Sequence, residues 1–281
     1  MAEGKRAERE KMLRDITLGQ YYPKDSVIHR LDPRVKITAV LVYIVMLFLV
    51  RDFTGYGVSL LAVIAVTAAS GVPFRFILRG MRPIAVIILL TFILNLFLYP
   101  GTILLSLGPL HITEQGLHQA LFMVCRLVLL IFGTALLTYT TKPMKLTDGM
   151  ESLMSPLSRF GFPSHEIAII MSIALRFIPM LVQEADKIMK AQQARGADFE
   201  SGNIVRRVKS LMPLFIPLFV GAFRIAQDLA MAMEARCYRG GSGRTRLHTM
   251  KLEKRDGAAI LLLSAYAAVI LAERVLSGMF F

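Results

Sequence analysis

Two tripeptides carry the chemistry that this sequence most invites. Ala194-Arg195-Gly196 and Ala235-Arg236-Cys237 each close a long stretch with an apolar stripe. An arginine offers a rigid planar fork that matches carboxylates or backbone carbonyls. The alanines Ala194 and Ala235 let a partner come close around a long side chain. Gly196 is a natural residue just beyond a helix end, because it tolerates the left-handed conformation. A cation there also suits the negative end of the helix dipole. Two such tips could plug two grooves on another protein. They also fit two ordinary solvated arginines, which are common at helix ends, and the residues alone leave both readings open.

Other chemistry is thin. A phosphate loop needs Gly-x-x-x-x-Gly-Lys-Ser/Thr, and no such run occurs. Gly240-Gly241-Ser242-Gly243-Arg244 is glycine-rich and basic without that spacing, so it reads as a connector. His165-Glu166 begins a zinc-protease pattern, but Ile169 stands where the second histidine belongs. His111 and His118 lack a third ligand nearby, so no metal site is expected. Cys125 and Cys237 sit in unlike surroundings and imply no disulfide framework. No catalytic constellation is found. Arg126 falls well inside an apolar block, where a charge is expensive and usually functional. It either pairs in the interior or snorkels from a span that enters lower. Asn95, in another block, suits an interhelical hydrogen bond better than a ligand site.

The elements that must position these residues are apolar and long. The chain has 281 residues, 55% of them hydrophobic, with a mean hydropathy of +0.56. Soluble domains average about 45–50% apolar residues. A spanning helix needs about 20 mostly apolar residues. Five blocks meet or approach that length: 35–50, 55–71, 84–99, 117–141 and 257–272. Only Arg51-Asp52-Phe53-Thr54 separates the first two, which predicts a tight helical hairpin. The first 36 residues hold no run long enough for a signal-peptide core, so no cleaved leader is expected.

The formal charge of +13 could suggest nucleic acid or anionic lipid. Its placement answers in favour of membrane topology. Segment 1–36 carries nine Lys/Arg, loop 72–83 carries Arg75, Arg79 and Arg82, and loop 100–116 carries none. Region 142–256 holds eighteen more. Basic residues collect in cytoplasmic loops, so the N-terminus is expected inside and, after five spans, the C-terminus outside. The expected organisation is a cytoplasmic segment 1–34, four spans over 35–141, a cytoplasmic coupling region 142–256, and a final span with the C-terminus over 257–281.

Region 142–256 is too charged for simple spans and too apolar for an ordinary loop. Three helices are predicted there. A short one covers about 146–160, beginning near Thr147-Asp148. A second starts at Ser164, with Ser164 and Glu166 suited to its N-terminus. Its stripe runs through Ile167, Ile170, Met171, Ala174, Ile178 and Leu181. A third starts near Asn203 or Ile204 and runs through Leu211, Leu214, Leu218 and Ala222 to about Tyr238. Pro179, Pro213 and Pro217 should kink the long pair. Such helices can lie along the inner membrane surface. The fold class expected is therefore an all-α polytopic membrane protein, with about five transmembrane helices and three cytoplasmic or interfacial helices.

Four stretches together resemble the T component of energy-coupling factor transporters, the EcfT (CbiQ-like) family. The first comprises Gly19-Gln20-Tyr21-Tyr22-Pro23-Lys24-Asp25-Ser26 with His29-Arg30-Leu31-Asp32-Pro33-Arg34-Val35-Lys36. The second is Ser164-His165-Glu166 through Ala174-Leu175-Arg176-Phe177-Ile178-Pro179. The two tips match the family's paired Ala-Arg-Gly-type motifs, with Cys237 where a residue such as glycine is usual. One tripeptide is a weak signal; their order and spacing in this topology are a strong one.

The resemblance implies a non-catalytic subunit in a prokaryotic plasma membrane. Its partners would be two cytoplasmic ABC-type ATPases and a membrane-embedded substrate-binding S component that carries a vitamin or metal ion inward. ATP and magnesium would be bound by the ATPases, and no cofactor by this chain. Residues 194–196 and 235–237, centred on Arg195 and Arg236, would grip the ATPases. The apolar faces around Ile178, Pro179, Leu181, Pro213, Pro217 and Leu218 would contact the S component. Two other classes are considered. A secondary transporter or other permease without ATPases should show paired ionisable residues in its spans and internal symmetry. An intramembrane enzyme should show a nucleophile with a base, or clustered acids, at membrane depth. Of these features the blocks contain only Arg126.

Overall fold

The structure of the chain, a computed structural model, describes residues 21–107, 110–197, 199, 204–240 and 252–279. The stretch 1–20, which includes Gly19 and Gln20, lies outside the described residues, as do Asn203 and 241–251. Two compact units are present: one comprises Gly19–Leu153 with His248–Phe281, and the other includes Met154–Leu247.

In the first unit, short helix α1 (Val27–Arg30) leads into α2 (Pro33–Leu49) and α3 (Phe53–Ser70). Proline opens α2 at the position where its missing N–H is harmless. Gly71 ends α3 with φ +66, in the left-handed conformation. Helix α4 (Phe74–Met81) runs through a 3₁₀ turn at Arg82–Ile84 into α5 (Ala85–Leu98). Helix α6 (Glu114–Thr140) is followed by α7 (Pro143–Met154), and α10 (Lys254–Met279) completes the unit. Leu47, Val63, Leu129, Phe132, Leu136 and Ile270 are buried where α2, α3, α6 and α10 meet.

One expectation changes here. The loop foreseen over 100–116 instead contains an antiparallel hairpin, β1 (Ile103–Leu107) paired with β2 (Leu110–Thr113). Its strands are rich in leucine and isoleucine, and once paired they satisfy backbone groups that a loop would leave to water. Thr113 then caps α6, accepting from the Gly116 N–H at 3.0 Å and donating to the Tyr99 carbonyl at 2.8 Å.

The second unit holds a 3₁₀ helix (Ser155–Phe160), α8 (Ser164–Ala194) and α9 (Ile204–Ala235). The short helix predicted for 146–160 thus begins earlier, at Pro143, and tightens to 3₁₀ at Ser155. Ser164 is the first residue inside α8 rather than its cap; Pro163 takes that place without a side-chain bond. Both long helices continue through their prolines, Pro179 in α8 and Pro213 and Pro217 in α9.

Six described segments are long and apolar enough to cross a membrane: Phe53–Ser70, Phe74–Leu98, Glu114–Thr140, Ser164–Ala194, Leu211–Ala235 and Lys254–Leu276. Four coincide with expected spans. The other expected span is α2, a helix of 17 residues. The two segments in α8 and α9 were expected at the membrane surface, and they meet the spanning criterion by length and apolarity. The chain is an all-α polytopic membrane protein in its helical framework, with one small hairpin.

Candidate functional site

The two motif arginines occupy the same structural position. Arg195 follows the last residue of α8. The Gly196 N–H bonds the Gln193 carbonyl at 3.0 Å, and the Ala197 N–H bonds the Gln192 carbonyl at 2.9 Å. Gly196 has φ +89. Arg236 follows the last residue of α9. The Cys237 N–H bonds the Glu234 carbonyl at 2.8 Å, and the Tyr238 N–H bonds the Met233 carbonyl at 3.0 Å. This is the same Schellman closure twice, with arginine in the capping position each time.

The comparison with Cys237 sharpens what that position requires. Cys237 has φ 56, the only positive φ of a described non-glycine residue. Small size is thus not the whole requirement; the backbone must be left-handed, which costs an L-residue about 1–2 kcal/mol. Cys237 meets that cost in order to keep the closure.

Both arginine side chains are exposed, and neither has a hydrogen-bond or ion-pair partner among the described residues. Their charges stand free at helix ends where the backbone carbonyls are already turned inward by the closure. Such a tip can offer its whole fork to another protein's carboxylates or carbonyls.

The tips lie at opposite ends of a helix pair. Leu229 and Met233, near the end of α9, face Ile169 and Ile173, near the start of α8, across a cavity of about 530 Å³. Arg236, Tyr238 and Arg239 also line it. The helices are therefore antiparallel, with Arg236 beside the beginning of α8 and Arg195 at its far end. The run of α8 from Ile169 to Arg195 measures about 40 Å at 1.5 Å per residue.

The residues expected to touch a membrane partner are mixed in exposure. Ile178, Pro179, Pro213 and Pro217 are exposed, and Leu181 and Leu218 are half-buried. Each proline lacks the N–H that would bond the carbonyl four residues back. Next to them α9 exposes side chains that the sequence reading passed over: Phe215, Ile216, Phe219 and Phe223, with Phe219 65% exposed. The rings of Phe219 and Phe223 lie 4.8 Å apart. The i, i+4 spacing of Phe215, Phe219 and Phe223 is the sequence signal for this face.

The opening motif acts within the first unit. Ser26 caps α1 and bonds His29 Nδ1 at 2.8 Å. His29 Nε2 lies 3.1 Å from the Tyr22 carbonyl, so Nε2 carries the proton and Nδ1 accepts from the Ser26 hydroxyl. Burial lowers the His29 pKa, opposed by the bond to the Tyr22 carbonyl. Lys36 is buried, and its ammonium donates to the His29 and Thr140 carbonyls and to Thr141 Oγ1 at 3.3, 2.9 and 3.3 Å. This motif therefore joins the start of α2 to the end of α6.

Arg126 pairs in the interior. Its Nε donates to the Tyr56 hydroxyl at 3.0 Å, and its guanidinium lies 5.1 Å from the Phe122 ring centre and 5.5 Å from that of Phe48. Asn95 bonds within its own helix, donating to the Thr91 carbonyl at 2.8 Å, rather than across to another helix. Among the described residues no three histidines, cysteines or acids converge as a metal site would need.

Comparison with known proteins places these features in a family. Residues 24–247 match the family described as cobalt transport protein, CbiQ. The chain is 56% identical over 249 residues to the energy-coupling factor transporter transmembrane protein EcfT of Thermosediminibacter oceani, covering 89% of this chain and 94% of that one. The EcfT of Clostridium kluyveri is 51% identical over 269 residues, covering 95% and 100%. That of Bacillus subtilis is 44% identical over 260 residues, covering 92% and 98%. With its two arginine-capped helices and its apolar spans, the chain belongs to the EcfT family, the transmembrane components of energy-coupling factor transporters.

Proposed function

We propose that this chain couples two cytoplasmic ABC-type ATPases to a membrane-embedded S component, and so drives uptake of a vitamin or metal ion. Arg195 and Arg236, with the small residues beside them at 194, 196, 235 and 237, seat in one groove on each ATPase. The observation that carries this reading is the pair of matching arginine tips, without partners among the described residues, at opposite ends of one antiparallel helix pair. Two tips about 40 Å apart suit two partner subunits better than one.

ATP and magnesium belong to the ATPases in this scheme, and this chain contributes no catalytic group. A change in ATPase spacing on ATP binding or hydrolysis pulls on the two tips. Helices α8 and α9 pass that displacement to their exposed apolar faces, around Ile178, Pro179, Leu181, Pro213, Pro217 and Leu218. The prolines interrupt the backbone ladder there and make these faces the places where the helices bend most readily. The S component selects the cargo. The excess of Lys/Arg in 1–36, 72–83 and 142–256 supports an N-terminus and coupling helices on the cytoplasmic side.

The test is copurification. Arg195→Glu combined with Arg236→Glu should abolish recovery of the ATPases with the tagged chain, while membrane insertion persists. Normal recovery of both ATPases would remove these residues from the interface. Purification of the wild-type chain from native membranes without any ATP-binding subunit would favour a transporter that works alone.

A further inference from the structure

A sharp turn in the second unit holds two phenylalanine rings outward, and nothing in the coupling scheme uses them. The 3₁₀ helix Ser155–Phe160 ends in Arg159-Phe160-Gly161-Phe162-Pro163, which leads directly into α8. Phe160 is 90% exposed and Phe162 38% exposed. Single exposed apolar residues are ordinary on protein surfaces. This one is different because the turn is closed by its own bonds. Ser158 Oγ donates to the Ser155 carbonyl at 2.6 Å, the Gly161 N–H to the Ser158 carbonyl at 3.0 Å, and the Ser164 N–H to the Phe162 carbonyl at 2.9 Å. Gly161 has φ +83, and a methyl group built there would meet nothing within 4 Å. The space beside Gly161 is open, and Phe160 is almost fully exposed. The backbone of the turn holds the rings out of the fold.

We propose that this turn is an interfacial lipid anchor: Phe160 and Phe162 enter the outer part of the acyl region, and Arg159 pairs with the phosphate of an anionic lipid. Three observations favour a bilayer over a protein partner. The turn leads through Pro163 into α8, whose first turns leave Ile170 and Met171 exposed, an apolar face suited to a helix lying along the membrane surface. Arg159 is exposed and unpartnered among the described residues, beside the rings, as a cation paired to phosphate would be. A projecting aromatic pair with one cation also matches the composition of surface-inserting segments.

The sequence makes the test direct, because it contains no tryptophan. The full chain carrying Phe160→Trp, or in a second preparation Phe162→Trp, has a single reporter. Each is reconstituted in vesicles of mixed phosphatidylglycerol and phosphatidylcholine, with and without bromine on the acyl chains. The expected result is blue-shifted emission, a loss of about half its intensity in brominated lipid, and shielding from acrylamide, as for rings at the membrane interface. Adding Arg159→Glu should weaken the bromine quenching. Emission that is quenched by acrylamide and not by bromine would overturn the proposal by placing the turn in water. Blue-shifted emission that neither agent quenches would overturn it in favour of burial against protein.

Discussion

Asp256 reaches across 224 residues of sequence to hold Asp32: its Oδ1 accepts the Asp32 backbone N–H at 2.8 Å, while its Oδ2 accepts the Glu253 N–H at 2.8 Å. One buried carboxylate thus serves the backbone N–H groups at the starts of two helices, α2 and α10. Asp32 in turn caps α2, its side chain accepting from the Arg34 N–H at 2.9 Å. An unsatisfied N–H at a buried helix start is costly, so this carboxylate fastens α2 to α10.

Asp256→Ala should therefore loosen α10 from α2. Two hydrogen bonds to a charged acceptor are lost, each worth about 1.5–3 kcal/mol. A thermal-stability scan of the purified chain should show a lowered midpoint, and amide exchange should rise at Asp32 and Glu253. An unchanged midpoint would mean that water replaces the carboxylate without loss.

The two helix tips predict opposite responses to substitution. Gly196→Ala forces a Cβ into a left-handed residue and should destabilise the α8 closure by about 1–2 kcal/mol. Cys237→Gly relieves the same conformation at the end of α9 and should stabilise it, by about 1 kcal/mol or less once glycine's extra freedom in the unfolded chain is counted. Exchange rates of the Ala197 and Tyr238 amides, which bond into the closures, report each effect separately.

Gly133 in α6 lies against the ring of Tyr43, and a methyl group there would overlap that ring. Tyr43 is itself held by its hydroxyl, which donates to the Leu129 carbonyl at 2.9 Å. The ring has little room to retreat. Gly133→Ala should cost about 1–3 kcal/mol through overpacking, read as a lower midpoint. Gly133→Ala in a Tyr43→Leu background should cost less, since the obstructing ring is gone.

His29 predicts a pH response. Its pKa is lowered mainly by burial, with the Lys36 charge acting in the same direction and the Tyr22 carbonyl and Asp25 opposing. A histidine depressed in the folded state binds protons more weakly than the unfolded chain does. Its contribution is fully present above the unfolded value of about 6.5 and declines as pH falls below it towards the folded value. The thermal midpoint should drop between pH 7.5 and pH 5.5, and His29→Gln should flatten that dependence. A slope unchanged in the variant would assign the pH response to other groups.

Much of this protein was legible in its residue order because membrane spans and helix ends are local. Hydropathy alone located four of the six spanning-competent segments, and the Ala-Arg-small pattern located both tips. The hairpin at 103–113 was missed because its leucine-rich strands are short and their pairing is a property of two segments, not of one. The capability of α8 and α9 to span was also missed: only Glu166 and Arg176 interrupt 164–183, and only Arg224 and Asp228 interrupt 210–233, so each helix keeps a long stretch of high hydropathy despite its charges.

The sequence by itself determined the helical class, the apolar spans, the basic segments and the arginines at two helix ends, since each depends on neighbours within a few turns. Only the tertiary structure decided that Arg195 and Arg236 stand at opposite ends of an antiparallel pair, that Arg126 pairs with Tyr56 seventy residues away, and that Asp256 fastens Asp32. Those relationships depend on which helices lie side by side. Many arrangements of apolar helices bury similar area, and directional bonds between distant residues distinguish one of them.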